Sequence, residues 1–228
     1  MAQSAAQEQH MDLTLYIGNK NYSSWSFRPW LAMKAANIPF EEVLIPIYAG
    51  ADDKRRILDV SPAGKVPVLT DGDVTVWDSI AIIEYLAEKF PQAQLWPQDS
   101  AARAHARAIS AEMHGGFGAL RRECGMNIHR PIRAKALSDE ARENIARVQE
   151  IWTSCRRRYG KAGPFLFGTF TAADAMYAPV VHRFRTYAIE VSQPVREYME
   201  AMLAHPAFAE WTAQALAETL VIERFEAD

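Results

Sequence analysis

Two hydrophobic periodicities divide the chain. Up to residue 91, short β-rich runs alternate with helical patterns; after residue 100 only the helical period remains. Leu13-Thr14-Leu15-Tyr16-Ile17 alternates and predicts a first strand, followed by a polar loop over 18–24. From Trp25 to Ala36 apolar residues recur at helical spacing (Phe27, Trp30, Leu31, Ala35), with Lys34 on the flank. Pro29 fits such a helix only in its first turn, which places the start close to 24–26 with Ser23 or Ser24 facing the unpaired N–H groups. Asn37-Ile38-Pro39 stops the helix, and 40–47 predicts a second strand. A short return of this kind implies a parallel pair with a right-handed crossover. Residues 48–60 are charged and read as irregular or briefly helical.

The stretch 61–90 is the most informative. Val66-Pro67-Val68-Leu69-Thr70, Asp71-Gly72-Asp73 and Val74-Thr75-Val76-Trp77 read as strand, tight turn and strand, because Asp-Gly supplies the positive φ that a hairpin turn needs. Asp78-Ser79 then places two capping residues before Ile80, Ile83, Tyr85, Leu86 and Phe90, and Pro91 ends the helix. Pro67 cannot donate to a ladder and belongs at a strand mouth, an edge or a bulge. There it leaves the N–H and C=O of Val66 free to pair with an extended peptide. The N–H groups at the Ser79 helix start suit a carboxylate. These residues fit either a small-peptide acid site or an ordinary hairpin and helix.

Residues 92–100, preceded by Pro91 and containing Pro97, read as a linker. Beyond it, helices are expected over about 101–123, 138–159, 171–187, 194–204 and 207–216. Thr171-Ala172-Ala173-Asp174 has the form of a capping box with Asp in the Glu position. Ala111-Glu112-Met113-His114-Gly115-Gly116-Phe117 falls within the first of these helices, where each glycine costs roughly 1 kcal/mol relative to alanine.

Composition narrows the function. The 228 residues allow one or two domains with a sizeable core. A net charge of −3 and a pI near 6.1 argue against a nucleic-acid partner. Cys124 and Cys155 are the only cysteines, without a CxxC or Cys/His cluster, so neither a metal site nor a dithiol centre is expected, and a reducing, cytoplasmic compartment is. The polar segment 1–11 reads as a disordered tail, not a secretory signal, and no stretch has the length and hydropathy of a membrane span.

Gly64-Lys65-Val66-Pro67-Val68-Leu69, with Asp78-Ser79-Ile80-Ala81-Ile82-Ile83-Glu84-Tyr85-Leu86, strongly resembles the glutathione-binding half of the cytosolic glutathione transferases. The capping motif at 171–174 extends the resemblance over roughly 13–211. It implies a thioredoxin-like α/β N-terminal domain (12–91), a linker (92–100) and an all-α C-terminal domain (101–228). It further implies that Pro67 is cis, that Val66 pairs with the cysteinyl backbone of glutathione as co-substrate, that Asp78 and Ser79 take the γ-glutamyl group, and that the protein is a homodimer. Lys65 is a candidate for the glycine carboxylate.

Ser23-Ser24-Trp25-Ser26-Phe27-Arg28 lies at the turn into the first helix, where a hydroxyl and the positive helix start stabilise a thiolate. The run is similar to the zeta-like pattern Ser-Ser-Cys-Ser-x-Arg, with Trp25 in place of the cysteine. Ser23 falls on the catalytic serine, Ser24 is the runner-up, and the bland reading is that both only cap the helix. Tyr22 is a second thiolate candidate or a pocket wall; Tyr16 belongs to the core. Tyr22, Trp25, Met113, His114 and Phe117 are candidates for an apolar acceptor pocket, although Met113 and Phe117 suit a helix contact better. Arg28 is expected to pack or pair within its helix. Arg121, Arg122 and Asn127 suit either an acidic substrate or a solvated basic face. Arg185 falls one position from the arginine that zeta-type isomerases use, which weighs against maleylacetoacetate isomerisation. Three functions follow: a glutathione transferase acting on a small electrophile, a glutathione-dependent cis–trans isomerase, or a binding module without turnover.

Overall fold

A computed structural model describes residues 13–48 and 50–226; the tail expected over 1–11 lies outside them. The first half contains β1 (Leu13–Ile17), α1 (Ser24–Ala35), β2 (Glu41–Leu44), α2 (Ala51–Val60), β3 (Val68–Asp71), β4 (Val74–Val76) and α3 (Ser79–Lys89). The sheet order is β2-β1-β3-β4. β1 pairs parallel with β2, as the crossover requires, and antiparallel with β3, and β3 and β4 form the Asp71-Gly72 hairpin. Gly72 has a φ of 55°, the left-handed value for which the turn selects glycine. β2 is shorter than expected: Ile45 N still donates to Ile17 O at 2.8 Å, but Pro46 has no N–H to continue the ladder.

Six helices follow: α4 (Ser100–Gly115), α5 (Gly118–Glu123), α6 (Asp139–Tyr159), α7 (Ala172–Thr186), α8 (Gln193–Ala204) and α9 (Pro206–Ala217). The helix expected over 101–123 is two helices. Gly116 is extended, Phe117 is left-handed at φ 58°, and a Cβ on Gly116 would meet Glu112 O at 2.7 Å. The glycine therefore ends α4 rather than weakening its middle. The capping box forms as expected. Asp174 Oδ2 accepts from Thr171 N at 2.8 Å, and Asp174 Oδ1 accepts from Leu166 N at 3.1 Å.

Pro29 sits inside α1, beyond the first turn. Burial accounts for its tolerance: α1 is enclosed along most of its length, packed on α3 and on α7. Phe27 stacks on Trp211 of α9 at 4.7 Å, and Trp30 meets the same indole at 5.1 Å. The sheet half and the helical half thus share one core. No helix among the described residues is long and apolar enough to cross a membrane.

Candidate glutathione site

The loop between β1 and α1 is fixed by its own asparagines. Asn19 Oδ1 accepts from Ile47 N at 2.9 Å, and Asn21 Oδ1 accepts from Ile128 N at 2.6 Å. Gly18 begins this loop. A Cβ there would lie 2.9 Å from Ile47 Cγ2, 3.2 Å from Val66 Cγ2 and 3.3 Å from Ser23 Cβ. Only glycine allows Val66 and Ser23 to close over this point, so residue 18 brings together two predicted site residues that are far apart in sequence.

Ser23 caps α1, its Oγ accepting from Ser26 N at 3.3 Å. The hydroxyls of Ser23 and Ser26 are 2.7 Å apart, and Ser26 Oγ accepts from Gly18 N at 3.0 Å. Ser26 was not singled out from the sequence, yet it is fully buried and orients Ser23. The available signal was the Ser-x-x-Ser spacing across a helix start. Ser24 faces the helical half, where its Oγ accepts from Arg183 Nη2 at 3.3 Å.

The Val66–Pro67 bond is cis, as is Trp77–Asp78. Among the described residues the backbone N–H and C=O of Val66 make no hydrogen bond, whereas Lys65 N and O are both held by Ser61 Oγ. The Lys65 side chain is exposed. The N–H of Ser79 is not free as expected: Asp78 Oδ1 caps it. The carboxylate of the residue before the helix satisfies one of the unpaired N–H groups at its start. Ser79 Oγ, by contrast, is buried and unpartnered. Asp78 Oδ2 lies 3.4 Å from His114 Nε2 on α4, which links the two halves at this point.

The Tyr22 hydroxyl is engaged by the C-terminal segment. It donates to Glu226 and accepts from Ile222 N at 3.2 Å, and burial followed by Glu226 raises its pKa. Asn127 is held by the same segment, donating to Glu226 Oε1 at 3.0 Å. Met113 is fully buried in the core, and Phe117 is buried as well. Trp25 and His114 are partly exposed, their rings edge-to-face at 5.2 Å. Burial, ahead of the opposing effect of Asp78, lowers the pKa of His114 and keeps the ring neutral at pH 7.

The basic residues separate. Arg122 is exposed and pairs with Glu140 at 3.1 Å, and Arg185 is exposed. Arg28, Arg121 and Arg183 instead gather around Trp25 and Ser24. The Trp25 ring centre is 4.2 Å from Arg28 Cζ and 5.3 Å from Arg121 Cζ. Arg183 donates through Nε to Cys124 O at 3.0 Å. The surface groove of about 440 Å³ beside Trp96, Tyr159 and Phe167 contains none of these residues.

A cis proline beside an unpaired backbone, a capped Asp-Ser pair and a serine at the first helix lie at one end of the strands of a β2-β1-β3-β4 sheet. Two family models match, those of the glutathione S-transferase N-terminal domain over residues 22–89 and C-terminal domain over 134–214. The chain belongs to the glutathione S-transferase family. It is 37% identical over 101 residues to "Glutathione S-transferase 1" of Dianthus caryophyllus, covering 44% of each chain. It is 38% identical over 107 residues to "Probable maleylacetoacetate isomerase" of Caenorhabditis elegans, covering 46% of this chain and 48% of that one. The matched region therefore spans about half the length of these curated relatives. A Burkholderia glutathione transferase homolog solved with bound glutathione superposes with a TM-score of 0.67 over 90% of this chain and 99% of that one, at 24% identity. The glutathione S-transferase fold thus holds across both halves of the chain.

Proposed function

We propose that this chain is a glutathione S-transferase that aligns glutathione along Val66, Asp78 and Ser79 and activates its thiol at Ser23. The observation that carries the reading is the unpaired backbone of Val66 at a cis proline, on a residue whose side chain and that of Ser23 both close around Gly18. An extended cysteinyl backbone paired with Val66 would direct its side chain toward the start of α1. Ser79 Oγ, buried without a partner, suits the γ-glutamyl carboxylate, and Asp78 Oδ2 suits the amino group. Lys65, exposed at the loop, suits the glycine carboxylate.

The chemistry is thiolate attack. The thiol releases its proton to solvent, Ser23 donates a hydrogen bond to the sulfur, and the sulfur lone pair forms a bond to an electrophilic carbon. The leaving group departs with its electron pair. The serine neither removes the proton nor forms a bond; it favours the charged form of the thiol. Trp25 and His114, the two partly exposed candidates, form the acceptor side, where a small electrophile sits. The assembly is a symmetric homodimer; sedimentation at micromolar concentration giving a monomer would contradict this.

Calorimetric titration with glutathione tests the reading. Wild-type binding that weakens about 10-fold or more in Ser79→Ala supports it, since an unmet buried hydrogen bond costs about 1–3 kcal/mol. Absence of wild-type binding would leave a fold kept for another purpose. A second reading, glutathione-dependent cis–trans isomerisation by addition and loss of the same thiolate, is favoured by the similarity to the Caenorhabditis elegans relative. Turnover of a cis-enedione without consumption of glutathione would select it.

A further inference from the structure

The last turn of α4 carries His114 into the space between Asp78 and Trp25. Arg121 holds this turn from α5, donating through Nη1 to His114 O at 3.2 Å. The imidazole meets Trp25 edge-to-face at 5.2 Å, and its Nδ1 is buried without a hydrogen-bond partner. Its Nε2 lies 3.4 Å from Asp78 Oδ2, longer than a charge-assisted hydrogen bond. Asp78 Oδ1 is committed to Ser79 N, so Oδ2 is the oxygen left for a ligand. The His114 and Asp78 side chains are 27% and 52% exposed, so a ligand can reach both.

We propose that His114, contributed by the helical half, recognises the γ-glutamyl amino group of glutathione together with Asp78. The inference rests on the glutathione reading above, which assigns Asp78 Oδ2 to that amino group. With its one proton on the buried Nδ1, a neutral imidazole presents the Nε2 lone pair beside the carboxylate. Two acceptors 3.4 Å apart suit a donor between them, and an ammonium nitrogen about 3 Å from Oδ2 can also reach Nε2. A carboxylate in that position would meet the Asp78 charge, so the amino end of the γ-glutamyl unit fits and its acid end does not. The charged groups facing the ring are Asp78 before α3, Arg28 on α1 and Arg121 on α5. Burial lowers the His114 pKa, Asp78 opposes this, and Arg28 and Arg121 lower it further. The two arginines thereby acquire a role: they help to keep the ring an acceptor at pH 7. Protonation would place a second cation beside the ammonium, so glutathione affinity should fall as the pH drops below the ordinary histidine range near 6.5.

Calorimetry with two peptides tests this: glutathione, and glutaryl-cysteinylglycine, which lacks only the amino nitrogen. At pH 7 the wild type should prefer glutathione by about 10-fold or more, the usual worth of hydrogen bonds to a charged group. His114→Phe keeps an aromatic ring against Trp25 and should cut that preference about 5-fold, with affinity for the glutaryl peptide unchanged. Should His114→Phe fail to fold, His114→Gln serves, since its amide oxygen accepts a hydrogen bond and does not titrate. Wild-type affinity for glutathione should fall about 5-fold from pH 7 to pH 5, whereas that of His114→Gln should stay level. Equal losses for both peptides in His114→Phe would assign the residue to packing and overturn the proposal. A fall with pH that persists in His114→Gln overturns it as well. So does glutathione binding by the wild type with no preference over the glutaryl peptide, which leaves Val66 and Ser79 in their roles. Absence of glutathione binding by the wild type overturns the glutathione reading itself, so the two failures are distinct.

Discussion

Ser23 and Ser24 are neighbours in sequence and face different halves of the molecule. Ser23 turns toward Val66 and is held by Ser26; Ser24 turns toward Arg183. The pair was legible from the Ser-Ser-x-Ser run, but the different partners of the two hydroxyls were not, because that of Ser24 is an arginine 159 positions away. Ser23→Ala is expected to lower kcat/KM about 100-fold or more, the usual effect of removing one preorganised donor. Ser26→Ala should lower it less, on the order of 10-fold, since it loosens the donor without removing it. Steady-state kinetics with a neutral electrophile separates the two; equal losses would mean that Ser23 only caps the helix.

The capping box of α7 is the element where local sequence and structure agree most closely, and it has a pH signature. Asp174 is fully buried, and desolvation outweighs its hydrogen bonds from Leu166 and Thr171, raising its pKa to about 6. In the unfolded chain an Asp titrates near 3.9, so between about 4 and 6 the folded state holds more protons. The contribution of this group is therefore fully present below about 4 and is lost as pH rises through about 6. Urea midpoints across this window should fall with pH more steeply in the wild type than in Asp174→Asn; parallel profiles would show that the carboxylate titrates normally. Other elements were less legible. Helical periodicity continues through the break between α4 and α5 and reads as one helix, while Gly116 is required by the approach of Glu112 O. Local preference puts Pro29 in a first turn, because an isolated helix does not accept it later. Enclosure of α1 between the sheet half and α7 overrides that preference.

At the scale of the whole molecule the two halves are one packing unit. Phe27 and Trp30 of α1 interlock with Phe208 and Trp211 of α9, and Trp211 Nε1 donates to Lys20 O at 3.1 Å, which ties the site loop to the final helix. Trp211→Ala should cost about 3–5 kcal/mol and lower the stability of both halves together. Far-UV dichroism and tryptophan fluorescence should then show coincident, shifted transitions in denaturant; separate transitions would mean that the halves unfold independently.

The order of elements, the hairpin at Asp71-Gly72, the capped starts of α3 and α7, and the residue types available at the candidate site can all be read from the chain. All of these follow from interactions among residues close in the chain: periodicity, turn chemistry and caps. Which of those residues meet is a matter of tertiary packing. It closed Ser23 on Val66 across Gly18, withdrew Tyr22 and Asn127 to the C-terminal segment, and sank Met113 into the core. It also assembled Arg28, Arg121 and Arg183 from three helices around Trp25 and Ser24. Each of these outcomes is set by close packing and by desolvation, which depend on neighbours distant in sequence.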